Sequence, residues 1–116
     1  MTLYGIKNCD TVKKSRAWFA ARGVQMPFHD LRRDGLDDLR ARRWLAALGA
    51  TRLVNRSGTT WRALTAEQQT IPDDDTLIAL LRAQPALIRR PVVELGDRIT
   101  VGFVPDAWIG MLEANA

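Results

Sequence analysis

Residues 3–14, LYGIKNCDTVKK, predict a short strand, a tight loop and the first turn of a helix. The strand runs from Thr2 to Ile6, and the helical pattern begins after Asp10-Thr11, because either side chain can accept a hydrogen bond from a free amide of the first turn. We expect the helix to end at Gly23, since glycine commonly terminates helices. The single cysteine of the chain, Cys9, therefore lies in a loop between a strand and a helix.

The pattern after this helix predicts, in order, an extended segment, a helical block, two strands and a final helix: residues 24–31, 34–85, 92–95, 98–103 and the segment from Pro105. Pro27 indicates that the strand in the first of these begins late or lies at a sheet edge. Five apolar residues predict the buried face of one helix in the block: Leu36, Leu39, Trp44, Leu45 and Leu48. Thr65 and Gln68 have the spacing of a capping box.

This order of elements, β-α-β followed later by β-β-α, is typical of the thioredoxin-like fold. We therefore predict an α/β protein with a mixed four-stranded sheet and a helical insertion. Residues 1–116 form a single domain in this interpretation, with the thioredoxin-like core in residues 1–31 and 86–116 and the insertion in residues 32–85.

Length and composition exclude several classes of protein. A chain of 116 residues with 47% hydrophobic and 26% charged residues is typical of one ordinary globular domain, not of a disordered or collagen-like chain. No apolar run approaches the ~20 residues that span a bilayer, and the first residues lack the features of a secretory signal. We expect a cytoplasmic protein with no membrane partner.

The net charge of +4 suits an anionic small molecule, an acidic protein or a nucleic acid, and selects none of them. The densest group of arginines is interleaved with carboxylates, as on a solvated helix face: Arg32, Arg33, Arg40, Arg42 and Arg43 with Asp34, Asp37 and Asp38. We therefore expect no nucleic acid partner.

Cys9 has few possible roles. It cannot form an internal disulfide, and with one histidine, His29, it cannot build a thiolate zinc site, so we expect neither a metal nor a bound cofactor. Its place before a helix, near Lys7, favours the thiolate and hence a reactive nucleophile. The alternative is a small apolar packing residue, as most free cysteines are.

A reactive Cys9 would need a second sulfur from outside the chain. Asp10, Thr11 and Val12 follow it, so a Cys-x-x-Cys pair is absent. An external thiol, glutathione or a glutaredoxin, would then have to resolve the product of its attack.

Arg90 and Pro91 form the second notable group. Proline directly before a strand is awkward for sheet pairing, and a cis bond to it is one way in which a chain enters a strand from a tight turn. Arg90 could direct its guanidinium at an oxyanion or a thiolate, and Arg56, in the loop of residues 55–60, could supply a second guanidinium. The alternative is that both are solvated surface arginines.

Taken together, the chain resembles the arsenate-reductase-like family of thioredoxin-fold proteins, which includes glutaredoxin-dependent arsenate reductases, Spx-type transcription regulators and a short, poorly characterised reductase-like branch. The residues that carry the resemblance lie along nearly the whole chain: 3–9, 55–57, 87–91 and 101–103. Residues 7–14 and 59–62 are most similar to the short branch.

The resemblance implies roles for individual residues. Cys9 matches the cysteine that attacks arsenate, and Arg90 matches one of the arginines that bind the oxyanion and hold the thiolate. An ungapped comparison places a second arginine at Asn55, one residue before Arg56, and residues 101–105 lack the third.

The resemblance and the placement of Cys9 together predict a glutathione-dependent thiol reductase with a substrate other than arsenate. Cys9 is its nucleophile and Arg90 its thiolate ligand, while Lys7, Arg56 and Pro91 bind substrate. The alternative is an Spx-like regulator that binds the RNA polymerase alpha subunit and retains a vestigial cysteine. In that case its redox switch is missing, because Val12 stands at the position of the second cysteine.

Overall fold

The computed structural model describes residues 1–114. Its strands are β1 (Thr2–Gly5), β2 (Phe28–Asp30), β3 (Val92–Leu95) and β4 (Arg98–Val101). Its helices are α1 (Asp10–Ala21), α2 (Asp38–Leu48), α3 (Ala50–Leu53), α4 (Thr59–Arg62), α5 (Ala66–Gln69), α6 (Asp74–Ala83) and α7 (Pro105–Ala114), with one 3₁₀ turn at Pro85–Leu87. None of the helices within residues 1–114 combines the length and the apolar character needed to cross a bilayer.

The chain divides into two compact units. One contains Met1–Asp34 together with the chain from Arg90 onward, and the other contains Gly35–Arg89. The first unit carries all four strands and Cys9, and the second carries α2 to α6. The single domain with an insertion at residues 32–85 stays a prediction.

The sheet of the first unit has the order β2-β1-β3-β4. β1 pairs in parallel with β2 and antiparallel with β3, and β3 pairs antiparallel with β4. This confirms the predicted mixed four-stranded α/β sheet. β2 is shorter than its extended segment because Pro27 has no N–H for the ladder, although its carbonyl still accepts a hydrogen bond from Leu3 N at 2.9 Å.

Apolar side chains from the sheet, α1 and α7 form the core of the first unit: Leu3, Val12, Phe19, Val93, Leu95, Trp108 and Met111. Gly5 allows α1 to approach β1, because a Cβ atom at this position would lie 2.6 Å from Cγ2 of Val12. This close approach fixes the start of α1, and with it Cys9, against the end of β1.

The second unit is helical, as predicted for this part of the chain. Asp37 caps α2 and Asp73 caps α6, and Thr65 and Gln68 form the predicted capping box at the start of α5. Leu39 departs from the predicted apolar face, because it is 72% exposed. Trp44 is fully buried, so the helix is rotated to cover it and leaves Leu39 on the solvent side.

Candidate functional site

Cys9 is the N-cap residue of α1. Its backbone is extended (φ −96°, ψ 125°), its N–H donates to the Ile6 carbonyl at 3.2 Å, and its carbonyl accepts from Lys13 N at 3.0 Å. The thiol is half-buried. The strand, the loop and the helix start thus place the sulfur beside the free amides of the first helical turn, as the sequence predicted.

The surroundings of Cys9 lower the pKa of its thiol below the ordinary value of 9.0. Burial acts in the opposite direction and raises the pKa, because it penalises the charged form. The Val12 amide, the Arg90 side chain and the Thr11 amide together outweigh burial by stabilising the thiolate. These groups are all hydrogen-bond donors, so they favour the charged sulfur over the neutral thiol.

Arg90 contributes to the lowered pKa of Cys9 both by a hydrogen bond to its side chain and by its charge. It is half-buried and precedes Pro91, which is buried and is joined to it by a cis peptide bond. The Pro91 carbonyl accepts a hydrogen bond from Gly102 N at 2.9 Å. The sequence left the isomer of this bond open, and the structure brings Cys9 and Arg90 together.

Two further predicted residues, Lys7 and Arg56, are not among the groups that shift the pKa of Cys9. Lys7 is exposed and lies two residues before Cys9, where it lines a cleft of the first unit. Arg56 belongs to the second unit, and its guanidinium lies 5.4 Å from the centroid of the Trp61 ring. Its loop is shaped by Asn55, whose Oδ1 accepts from Ser57 N at 3.2 Å and from Ser57 Oγ at 3.0 Å. The substrate-binding roles of Lys7, Arg56 and Pro91 stay predictions.

Sequence reasoning did not single out the amides of Thr11 and Val12. A backbone donor has no residue-type signature, and the one available signal was the helix start itself. No three His, Cys, Asp or Glu side chains within residues 1–114 are grouped so that they could hold a metal ion.

The sequence model of the ArsC family matches residues 4–111. The chain belongs to the ArsC family. The matched range includes Cys9, Arg90 and all four strands apart from the first two residues of β1.

Several ArsC-like proteins of known sequence or structure are similar to this chain over most of their length. The solved structure of a protein named YFFB is 47% identical, has a TM-score of 0.90, and the match covers 96% of this chain and 97% of that one. An arsenate reductase (ArsC) related protein from Brucella melitensis is 38% identical with a TM-score of 0.74, over 97% and 93% of the two chains.

Among curated sequences, an uncharacterised protein from Haemophilus influenzae is 39% identical over 89% of this chain and 90% of its own length. A global transcriptional regulator Spx from Enterococcus faecalis is 25% identical over 91% and 81% of the two lengths.

The loop after β4 is where the family resemblance led us to expect a further arginine. Residues 102–104 stand there instead, and Phe103 packs edge-on against Trp108 with 5.5 Å between ring centroids. The Lys14 ammonium lies 4.2 Å from the centroid of the Phe103 ring. A lysine from α1 therefore places a positive charge beside this loop.

Proposed function

We propose that this chain is a cytoplasmic, glutathione-dependent thiol reductase that uses Cys9 as its one nucleophilic sulfur and acts on a substrate other than arsenate. The observation that carries the proposal is the contact of Arg90 with the Cys9 side chain at the start of α1. A guanidinium and two backbone amides around one half-exposed sulfur are suited to hold a thiolate. Membership of the ArsC family supports a reductase.

The first step is attack of the Cys9 thiolate on one sulfur of a disulfide substrate. The S–S bond of the substrate breaks, one half leaves as a thiolate that takes a proton from water, and the other half stays on Cys9 as a mixed disulfide. A glutathione thiolate then attacks the substrate-derived sulfur, and Cys9 leaves as a thiolate. These two steps exchange one half of the substrate disulfide for glutathione. A second glutathione thiolate then attacks the glutathione sulfur of this mixed disulfide, which releases the other half of the substrate as a thiol and yields oxidised glutathione.

Arg90 assists both steps for the same physical reason. It stabilises negative charge on the Cys9 sulfur before attack and again when that sulfur is the leaving group, and a thiol of lower pKa leaves faster. Lys7 and Pro91 are the proposed substrate-binding residues of the first unit, and Arg56, an arginine in the loop of residues 55–60, is the proposed binding residue of the second unit.

Mass spectrometry after incubation with oxidised glutathione tests the nucleophile. We expect one glutathione per chain on Cys9 and none on Cys9→Ser, because the chain has one cysteine. Turnover is tested with hydroxyethyl disulfide, reduced glutathione, glutathione reductase and NADPH, in which NADPH consumption should depend on Cys9. An unmodified wild-type chain, or equal NADPH consumption with Cys9→Ser, would refute the proposal.

Similarity to the Spx regulator favours a second candidate function, a protein that binds the RNA polymerase alpha subunit. Immobilised alpha subunit should then retain the wild type and Cys9→Ser equally, with no turnover of any disulfide. The absence of retention at low ionic strength, where charged contacts are strongest, would exclude this candidate.

A further inference from the structure

A cleft of about 250 Å³ opens on the first unit at the carboxyl ends of β1 and β2. It is lined by Lys7, Arg16, Phe28, Asp30, Arg33 and Asp34. Lys7 lies two residues beyond β1, and Asp30 is the last residue of β2. In α/β sheets, ligands commonly bind outside the carboxyl ends of parallel strands.

The carboxylates of this cleft are engaged within their own loop. Asp30 Oδ1 accepts from the backbone amides of Arg32 at 2.9 Å and Arg33 at 3.3 Å. Asp34 Oδ2 accepts from Asp30 N at 3.3 Å, and its Oδ1 lies 3.9 Å from Arg33 Nε.

Lys7 and Arg16 are the two cations of the cleft that form no ion pair with a carboxylate of residues 1–114. Arg16 is instead held over the Phe28 ring, with its guanidinium carbon 4.4 Å from the ring centroid. The cleft thus presents two positive groups, one of them oriented by an aromatic ring, to whatever enters it.

We infer that this cleft binds a carboxylate group of the thiol or disulfide that reacts with Cys9. The inference rests on the proposed function and adds the part of the substrate that is recognised. Lys7 and Arg16 bind the carboxylate, and the side chains of Asp30 and Asp34 favour an ammonium group next to it. The chemistry is that of an amino-acid terminus.

The distances suit a peptide thiol. The Cα atoms of Lys7 and Cys9 are at most ~7 Å apart, because they are two residues apart in the chain, and an extended tripeptide spans ~10 Å. A tripeptide with its sulfur at Cys9 can therefore bring a terminal carboxylate to Lys7. A small neutral thiol reaches Cys9 without using the cleft.

The first test measures binding without sulfur chemistry. Cys9→Ser is labelled with ¹⁵N and titrated with S-methylglutathione, which has both carboxylates and no free thiol. We expect saturable shifts of the backbone amides of Lys7, Arg16 and Arg33. Adding Arg16→Gln should weaken binding about fivefold, the size of one exposed charge pair, and Lys7→Gln should act in the same direction.

Arg22→Gln is the matched control for this titration. Arg22 is also on the surface near the end of α1 and also lies over an aromatic ring, 3.8 Å from the centroid of Trp18, but it does not line the cleft. The affinity should be unchanged by this substitution. Shifts that do not saturate, or an affinity that neither Arg16→Gln nor Lys7→Gln lowers, would overturn the inference.

The second test compares two disulfides in a single exchange with Cys9, oxidised glutathione and the uncharged hydroxyethyl disulfide. Arg16→Gln should lower the rate constant for oxidised glutathione, relative to that for hydroxyethyl disulfide, about fivefold. Arg22→Gln should leave this ratio unchanged. An unchanged ratio in Arg16→Gln contradicts the inference and leaves the proposed function intact. Failure of Cys9 to react with either disulfide contradicts the proposed function, and the titration with S-methylglutathione then decides on the cleft.

Discussion

At the scale of single residues, the reactivity of Cys9 depends on a balance between burial and hydrogen-bond donors. Burial alone would make this thiol less acidic than a free cysteine, as in most protein interiors. Arg90 and the amides of Thr11 and Val12 lower the pKa by more than burial raises it. Arg90 is the one of these donors that a single substitution can remove without altering the helix.

Replacing Arg90 with alanine is expected to raise the pKa of Cys9, because burial then acts against fewer stabilising donors. The measurement is the pH dependence of Cys9 alkylation by iodoacetamide, whose midpoint should move to higher pH. Arg89→Ala is the control, since Arg89 is exposed and interacts through its backbone, where its N–H donates to the Leu53 carbonyl at 2.8 Å. Identical midpoints for the wild type and Arg90→Ala would remove Arg90 from the site.

The sequence predicted the position of Cys9 at a helix start, and the family resemblance indicated that Arg90 holds its thiolate. It could not predict which amides face the sulfur or the isomer of the Arg90-Pro91 bond, because both depend on backbone geometry set by the packed sheet. Arg56 illustrates the same limit. Its residue type and loop were evident from the sequence, but its neighbour Trp61 follows from the fold of residues 55–62.

At the scale of secondary-structure elements, the contact between β1 and α1 sets the position of the thiol. Gly5 and Val12 are both buried, and the valine methyl groups occupy the space into which any side chain at Gly5 would project. A helix that moved away from the strand would move Cys9 and the first-turn amides together.

We therefore expect Gly5→Ala to lower the free energy of unfolding by about 1–3 kcal/mol, the usual cost of overpacking a core. Urea denaturation measures this change. Gly110→Ala is the matched control, because Gly110 lies within α7 with nothing inside 4 Å of a Cβ atom. There the same substitution should stabilise the protein by about 0.5–1 kcal/mol through helix propensity. A Gly5→Ala protein as stable as the wild type would show that β1 and α1 are not tightly packed.

Features of an element were predictable where a local residue type determines them, and less so where they depend on the packing of other elements. Pro27 and the capping box at Thr65 belong to the first kind, since proline lacks an amide hydrogen and the box is a local interaction. The exposure of Leu39 depends on packing. A periodic pattern identifies an apolar stripe, but which edge of that stripe is covered depends on neighbouring helices, and here Trp44 is covered instead.

At the scale of the whole molecule, the ionisation of Cys9 is coupled to folding. The pKa of the thiol is lowered in the folded chain, so unfolding between the folded and unfolded pKa values takes up a proton. The resulting stabilisation is complete above the unfolded value and is lost as pH falls through the folded one. The free energy of unfolding of the wild type, minus that of Cys9→Ser, should therefore rise with pH across this window.

Urea denaturation of both chains from about pH 6 to about pH 9.5, which brackets an ordinary cysteine pKa, measures this difference. Serine does not titrate in this range, so the variant provides the baseline. A difference that is constant over the whole range would mean that folding does not favour the Cys9 thiolate.

The overall architecture was the most predictable property of the chain, because the order of strands and helices restricts the topology. The pairing of charged residues was less predictable. Arg42 pairs with Asp38 and with Asp75, each at 2.7 Å, although Asp75 is 33 residues away in the sequence. Arg42 and Asp38 belong to the interleaved charges that the sequence showed, whereas the pair with Asp75 depends on the packing of α2 against α6.

Cys9 also occupies a position at which evolution usually places a different kind of residue. Serine, threonine, aspartate and asparagine are favoured as N-caps, and a good cap contributes about 1 kcal/mol to a helix. The Cys9 side chain makes no such capping hydrogen bond. At pH values below the pKa of its thiol, Cys9→Ser should therefore melt at a higher temperature than the wild type. A lower helix stability at this position is the trade-off between stability and activity that we expect of the proposed nucleophile.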